Sequence, residues 1–335
     1  MASTQTENPI LVVGATGRHG NTGEYLVRRL REEGHSVRVL TRKLGDRIEY
    51  LASLGAEVAV GDLHDRRTLV PALADVDLAY FTYPIDSGVI TAASNYASAV
   101  REVGRQARTV VMSMGPAHPE SLSNLGRSQW LAEQVLEWAG LNLVILRVAA
   151  LFHENIVALH SRSIREHGMI RNSFGTGKIA WISAGDAAEL ALSALLHPER
   201  FSESVYYAKG SEDYSHGEIA ELLTEFMGRP IRYDPVDQEQ WRQDLLDLSS
   251  SAGEDVVNPA MAQHISAVGH MVAQNGRALP ADPEALRSLT GRDPVTMRDF
   301  LMANFAQPNG DMSLSFSDIR FSSGLAPSTS SETPS

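Results

Sequence analysis

The sequence predicts an α/β protein in which a doubly wound parallel sheet is followed by a smaller, mostly helical C-terminal domain. Two patterns predict this fold class. Six short apolar runs recur between residues 10 and 147, and segments with helical periodicity separate several of them. A glycine-rich turn follows the first run directly. After Arg147 the alternation stops and helical patterns dominate, which indicates the second domain.

Each apolar run is short and is bounded by polar residues or glycine, as buried parallel strands are. The predicted strands are Ile10–Val13, Val37–Leu40, Val58–Val60, Leu78–Phe81, Thr109–Met112 and Leu143–Leu146. Apolar stripes within 25–30, 69–76 and 131–136 predict helices between them. Strands and helices that alternate in this way form right-handed crossovers around one sheet.

The second half of the chain has its own order of elements. The patterns predict helices at Ile156–His167, Asp186–Leu196, His216–Met227 and Thr296–Phe305, and strands at Ile179–Ser183 and Val205–Ala208. We therefore divide the chain into a flexible N-terminus (1–9), a sheet domain (10–150) and a cap domain (151–306), with elements from 180–210 returning to the sheet domain. Residues 307–335 are of low complexity and are expected to be disordered, with Leu314–Phe321 as a candidate docking segment.

Composition excludes several classes of function. The chain of 335 residues carries 29 Lys and Arg against 41 Asp and Glu, and a net charge of -12 disfavours nucleic-acid binding. The absence of cysteine excludes disulfides, thiolate metal sites and cysteine nucleophiles. No apolar run approaches the roughly 20 residues of a membrane helix. Since the N-terminus also lacks the pattern of a secretory signal, we expect a cytoplasmic protein without a membrane partner.

The glycine-rich turn has the spacing of a nucleotide-binding loop. It reads Gly14-Ala15-Thr16-Gly17-Arg18-His19-Gly20 and connects a strand to a helix. Gly14 allows a tight turn, Gly17 lets backbone N–H groups approach a pyrophosphate, and Gly20 permits close packing of helix on strand. We predict that Gly14, Thr16, Gly17, Arg18, His19 and Gly20 bind a dinucleotide. A vestigial loop, or a loop for another phosphate ligand, remains the alternative.

The end of the second strand predicts which dinucleotide binds. NAD sites carry Asp or Glu there, whereas this strand ends in Arg42 and Lys43. A guanidinium suits a phosphate monoester, so the pair favours NADP(H) over NAD(H). A solvated pair of cations at a strand end is the alternative.

Polar and aromatic residues follow the third and fourth strands, where the ligand crevice of such a sheet lies. Asp62 and Leu63 are candidates for contact with adenine, although Asp62 could equally cap a helix. Phe81, Thr82 and Tyr83 are candidates for covering the nicotinamide or the substrate, with core packing as the alternative.

Several segments together resemble the NmrA-like branch of the atypical short-chain dehydrogenases. They are Ile10–Gly20, Val37–Lys43, Gly140–Arg147, Phe152–Asn155, Gly175–Ala188, Gly228–Pro230 and Leu289–Arg292. The resemblance covers about residues 10 to 305. It implies a Rossmann domain, a small substrate domain and bound NADP(H). The family includes quinone reductases, isoflavone reductases and redox-sensing regulators, so membership does not select one activity.

Short-chain dehydrogenases use a Tyr and a Lys four residues later to protonate the product, but the segment from Thr109 to Ile170 contains neither residue. Some NmrA-like reductases place a Lys four residues before a Glu. Here Glu133 matches that Glu, and Gln129 occupies the Lys position. Gln129 donates hydrogen bonds but is not an acid at neutral pH.

Other side chains are candidates for the reaction. His153, Ser113 and Tyr83 are the remaining candidate catalytic groups, and the candidate substrate contacts are Tyr83, Met114, Phe152, His153, Asn155 and Trp181. A surface position for His153 and a loop-starting role for Ser113 are the alternatives. His153, His160 and His167 share a helix face, but steps of about 10.5 Å are too long for joint metal ligation, and we predict no metal site.

Three functions remain open. The favoured one is an NADPH-dependent reductase of a small conjugated or aromatic substrate, such as a quinone, enone, ketone or imine. The second is a non-catalytic NADP(H) sensor with a protein partner. The third is an isomerase or cyclase that uses His153. The sequence does not decide between a monomer and a homodimer.

Overall fold

The computed structural model describes residues 8–17, 21–253 and 256–305. Three sets of predictions lie outside these ranges. They concern the first seven residues of the N-terminus, the loop residues Arg18, His19 and Gly20, and the tail from residue 307 with its segment Leu314–Phe321.

The strands include short apolar runs as well as more polar segments. In chain order they are β1 (Ile10–Val13), β2 (Val37–Thr41), β3 (Glu57–Val60), β4 (Leu78–Phe81), β5 (Arg108–Met114), β6 (Leu143–Val148), β7 (Leu151–Phe152), β8 (Met169–Asn172), β9 (Ile179–Ile182), β10 (Val205–Ala208), β11 (Glu212–Tyr214) and β12 (Arg232–Pro235).

Helices connect most of these strands, and many begin at a Ser, Asp or Asn whose side chain accepts a backbone N–H. They are α1 (Thr22–Glu32), α2 (Asp46–Ser53), α3 (Arg66–Ala72), α4 (Val89–Val103), α5 (Asn124–Trp138), α6 (Glu154–His167), α7 (Ala184–Leu196), α8 (His216–Met227), α9 (Gln238–Ala252), α10 (Pro259–Asn275), α11 (Pro283–Thr290) and α12 (Met297–Phe305).

Within the described residues, seven parallel strands form one sheet in the order β3-β2-β1-β4-β5-β6-β10. Helices cover both faces, with α1 and α7 packed against each other on one and α4 against α5 on the other. The doubly wound α/β fold is therefore confirmed. The strand order reverses beside β1, so the carboxyl ends of β1 and β4 border a crevice where such folds bind ligands.

The outermost strand on the β3 side differs from the prediction. We expected Val58–Val60 to be buried on both faces, but β3 is an edge strand whose residues are partly or fully exposed, and Val60 is 61% exposed. An edge strand has a neighbour on one side only, and here helices cover little of it. Short apolar runs do not reveal their place in the sheet order.

The second half of the chain contributes both to the main sheet with its helices and to a second hydrophobic core. Strand β10 pairs with β6 at the far edge of the main sheet, and α7 packs on α1. Helix α11 also packs on α7, and most of the other described elements form a second core with two small sheets, β11-β9-β7 and β12-β8. The sequence patterns missed β7, β8, β11 and β12, because runs of two to four half-buried residues carry no clear period.

A buried ionic cluster joins α1, α7 and the loop before α12. Arg292 donates to Asp186 (2.9 Å) and to the Tyr25 hydroxyl (3.3 Å), and Tyr25 donates to Glu189 (3.0 Å). Asp186 is 2% exposed and also accepts from the backbone N–H of Val295 (2.9 Å). These bonds attach the C-terminal elements to the helix that follows the glycine loop.

Candidate functional site

The glycine loop turns sharply at the carboxyl end of β1. Gly14 has φ +83°, and a Cβ there would lie 2.4 Å from Thr82 Cγ2 and 3.0 Å from Thr82 O at the end of β4. The turn closes when Gly17 N–H donates to Gly14 O (3.0 Å). Gly14 is thus required for backbone conformation and for the close approach of β4. Thr16 lies between the two glycines in the same turn.

A fourth glycine, which the sequence analysis missed, holds α1 against this loop. A Cβ on Gly23 would lie 2.8 Å from Ala15 Cα and 2.8 Å from Gly14 O. We assigned close packing to Gly20, which lies outside the described residues. Glycine recurs at every third position here, as Gly14, Gly17, Gly20 and Gly23. That period is the sequence pattern that could have revealed the role of Gly23.

A second missed residue, Arg47, holds the loop from the side of α2. Its guanidinium donates to Thr16 O (2.9 Å), Gly17 O (3.3 Å) and Asn21 Oδ1 (3.0 Å). Because these acceptors are loop groups, Arg47 fixes the shape of the turn. No local sequence pattern indicates this contact, since it depends on how α2 packs.

The two cations at the end of β2 are exposed beside this loop. The carboxyl ends of β1 and β2 are adjacent, with Val13 paired to Leu40. The side chains of Arg42 and Lys43 are both exposed, and Thr41 Oγ1 donates to Lys43 O (2.9 Å), which shapes their turn. They therefore form a basic patch next to the glycine loop.

The loops after β3 and β4 bring Tyr83 to the side of β3. The Tyr83 hydroxyl lies 2.7 Å from His64 Nε2 and donates to Ser87 O (3.1 Å). Burial, and then the charge of Asp86, raise the pKa of Tyr83, while Arg42 opposes this effect. A phenol bound in this way on the β3 side is poorly placed to protonate a substrate at β5 and β6. Its placement favours the nucleotide-binding assignment over the catalytic one.

Asp62 and Leu63 lie in the same loop. The Asp62 carboxylate accepts from His64 N–H (2.9 Å), whereas Asp65 is the residue that caps α3 by accepting from Arg67 N–H (3.1 Å). The alternative in which Asp62 caps the helix is therefore wrong. Leu63 O accepts from Asn95 Nδ2 (2.8 Å), which attaches the loop to α4.

Phe81 ends β4 and Thr82 follows it, and the two residues have different environments. Phe81 is 1% exposed and packs on Tyr96 with ring centroids 4.9 Å apart, so it is a core residue and its predicted cofactor contact is not supported. Thr82 is half-buried and contacts Gly14.

A buried ionic network lies under the carboxyl ends of β5 and β6. The Ser113 hydroxyl donates to Glu133 Oε1, and Glu133 is fully buried. Arg147 donates to Glu133 Oε2 through Nε (3.0 Å) and Nη2 (2.5 Å) and to Tyr207 Oη through Nη1 (2.7 Å). The structure thus brings Ser113 together with the helix α5 that carries Gln129.

Gln129 and Met114 complete this end of the sheet. Gln129 is 8% exposed and lies one turn before Glu133 on α5. Met114 ends β5 and is half-buried, next to Val148 of β6.

His153 does not suit a catalytic role. It is fully buried against Phe300 (5.3 Å between ring centroids), and neither ring nitrogen has a hydrogen-bond partner among the described residues. Burial lowers the pKa of His153 to about 3. A ring that reaches neither solvent nor a cleft cannot exchange protons with a substrate, so the structure contradicts both the catalytic and the substrate-contact assignment.

Asn155 and Trp181 line a small apolar cavity in the second core, together with His160, His216 and Trp241. Trp181 is fully buried, and its Nε1 donates to Tyr214 O (3.1 Å). It is a core residue, and its predicted contact with substrate is not supported. Phe152 in β7 is half-buried and packs against the core of the main sheet.

Within the described residues, no helix is long and apolar enough to cross a bilayer. No group of three or more His, Asp or Glu side chains there is arranged to hold a metal ion.

Known proteins with similar sequence and structure identify the family. The model of the NmrA-like family matches residues 6–278. The chain is 32% identical over 237 residues to an NAD(P)H azoreductase of Xenophilus azovorans, which covers 70% of this chain and 79% of that protein.

Solved structures share the fold. The NADPH complex of the quinone oxidoreductase QOR2 from Escherichia coli has a TM-score of 0.70 at 23% identity, covering 87% of this chain and 97% of that one. The NADP(H) complex of Citrobacter triphenylmethane reductase has a TM-score of 0.68 at 21% identity, covering 86% and 98%. With a family model that spans most of its length, the chain belongs to the NmrA-like family.

Proposed function

We propose that the protein is an NADPH-dependent reductase of small conjugated or aromatic acceptors of the quinone, enone, ketone or imine type. The observation that carries the proposal is the exposed pair Arg42 and Lys43 beside the glycine loop. In that loop, a Cβ added at Gly14 would clash with Thr82. The names of the relatives, an azoreductase and quinone and dye reductases, support the same class of substrate.

The residues present fit NADP(H). Gly14 and Gly23 leave no room for a Cβ, so the loop backbone and the start of α1 come close together, as pyrophosphate binding requires. Arg47 donates to the carbonyls of Thr16 and Gly17 and so holds the loop in this turn. Arg42 and Lys43 would meet the phosphate that distinguishes NADP(H) from NAD(H).

The chemistry near β5 favours an acceptor that needs little acid assistance. When bound, NADPH would supply a hydride. The segment from Thr109 to Ile170 has no Tyr or Lys to deliver the accompanying proton, and His153 is sealed in the core. A quinone or an activated imine accepts hydride readily, and water can provide its proton.

The test combines turnover with cofactor selectivity. NADPH oxidation is followed with a panel of quinones, azo dyes and enones, and cofactor Kd values are measured by fluorescence. We expect Arg42→Ala to raise the Kd of NADPH by about 10-fold and to leave that of NADH nearly unchanged. Arg47→Ala should weaken both nucleotides, because it loosens the shared loop.

Arg101→Ala is the control, since Arg101 is exposed near the end of α4 that lies away from the crevice. Equal wild-type affinities for NADPH and NADH would refute the NADP assignment. Tight NADPH binding without turnover of any acceptor would refute the reductase and favour the sensor.

A further inference from the structure

The network of Ser113, Glu133 and Arg147 determines the direction of one hydrogen bond. Arg147 places its guanidinium on Glu133, with Nε and Nη2 both donating to Oε2 (3.0 and 2.5 Å). A carboxylate that faces a guanidinium carries its negative charge and only accepts hydrogen bonds. The proton between Ser113 Oγ and Glu133 Oε1 therefore comes from the serine.

This direction changes what Ser113 can offer to a ligand. A hydroxyl has one proton and two lone pairs. Because the proton is committed to Glu133, only the lone pairs of Ser113, which is 7% exposed, remain available to a ligand at the end of β5. Ser113 consequently accepts hydrogen bonds there and cannot donate one to a carbonyl oxygen of a substrate.

Gln129, unlike Ser113 with its committed proton, carries both a donor and an acceptor. It precedes Glu133 by four residues and so lies about 6 Å closer to the start of α5. Because α5 follows β5, the helix begins at the carboxyl end of the sheet, on the side of the crevice. The Gln129 amide can donate and accept.

We propose that Ser113 is a dedicated hydrogen-bond acceptor at the base of the crevice, that Glu133 and Arg147 are its positioning residues, and that the site takes a group with an O–H or N–H donor. Two sources carry this chemistry: the nicotinamide-side hydroxyl or amide groups of NADP(H), and the reduced product, such as a hydroquinone. The product source rests on the proposed function, whereas the cofactor source requires only that NADP(H) binds.

The first experiment removes the acceptor. Ser113→Ala is compared with Thr109→Val, which removes another buried hydroxyl from the same strand at its opposite end, where Thr109 Oγ1 meets Tyr96 Oη (3.0 Å). For each protein, the Kd of NADPH is measured without substrate, and the KM of a quinone and the Ki of its hydroquinone are measured in turnover.

Two results support the proposal. Ser113→Ala weakens NADPH by about 2- to 10-fold if the cofactor is the donor. It weakens the hydroquinone by a similar factor, with the Kd of NADPH unchanged, if the product is the donor. In both cases the KM of the quinone, which has no donor, stays within about 2-fold. The proposal is overturned if only the quinone KM rises, or if Ser113→Ala behaves like Thr109→Val.

The second experiment reverses the hydrogen bond through Glu133→Gln. Arg147 would take the amide oxygen, which leaves the amide N–H₂ facing Ser113 and frees the serine proton. We expect weaker binding of the donor ligand together with a lower KM for the quinone, a pair of opposite changes that loss of stability would not produce. Parallel changes of both constants would contradict the positioning role, and binding of NADPH remains measurable even if the protein reduces no quinone.

Discussion

Replacing Gly23 with alanine provides a test, because helix propensity predicts a gain in stability whereas packing predicts a loss. It is the second residue of α1, where replacing glycine with alanine ordinarily stabilises a helix by up to about 1 kcal/mol. Here the new Cβ would lie 2.8 Å from Ala15 Cα and 2.8 Å from Gly14 O. Both are backbone atoms of the glycine loop, so the loop itself must move.

The expected magnitude follows from these two contributions. Overpacking a tight contact costs about 1 to 3 kcal/mol, and helix propensity offsets up to about 1 kcal/mol of that cost. Gly23→Ala should therefore lower the free energy of unfolding by up to about 3 kcal/mol. Since the displaced loop is the proposed pyrophosphate site, we also expect the Kd of NADPH to rise by about 5-fold or more, the equivalent of about 1 kcal/mol.

Gly217 is the matched control. It is likewise the second residue of a helix, α8, but its nearest neighbour for a Cβ is Ser215 Oγ at 3.8 Å. Gly217→Ala should leave stability unchanged or raise it by up to about 1 kcal/mol. Urea unfolding and fluorescence titration with NADPH measure both effects. The packing argument is refuted if Gly23→Ala is as stable as Gly217→Ala and binds NADPH like the wild type.

Two further predictions concern buried charge. Burial lowers the pKa of His153 to about 3, while the unfolded chain keeps about 6.5, so the wild type loses stability as the pH falls from about 6.5 towards 3. As the pH is lowered from about 7.5 to about 5, the free energy of unfolding of His153→Leu should therefore rise by about 2 kcal/mol relative to that of the wild type, with turnover retained. A difference in urea unfolding that does not change with pH would contradict this. Arg292→Ala leaves Asp186 buried without its cation and should cost about 3 kcal/mol, against less than about 1 kcal/mol for the exposed pair in Arg105→Ala; equal costs would contradict it.

The fold class and the nucleotide loop could be predicted because their signals are local. Strand β1, the glycines after it and the cations after β2 lie within 34 consecutive residues, from Ile10 to Lys43. Hydrophobic periodicity and glycine spacing describe such segments without knowledge of their neighbours. Helix α8 was predicted with its correct bounds for the same reason, since Ser215 and Glu218 form a capping box and Gly228 ends it.

The chemistry at β5 and β6 depended on contacts between distant segments. Sequence spacing allowed His153 to face the crevice, but packing against Phe300, far along the chain, buried it. The same holds for Ser113, whose hydroxyl donates to a Glu133 carboxylate that Arg147, from another strand, holds in place.

Taken alone, the sequence determined the doubly wound sheet, the position of the phosphate loop and the basic residues beside it, because each follows from the conformational limits of a few adjacent residues. Tertiary structure alone decided which polar groups are exposed, which are buried and which way their hydrogen bonds run. Burial and bond direction are set by residues that meet only after folding, and these two properties distinguish an acceptor such as Ser113 from a proton donor.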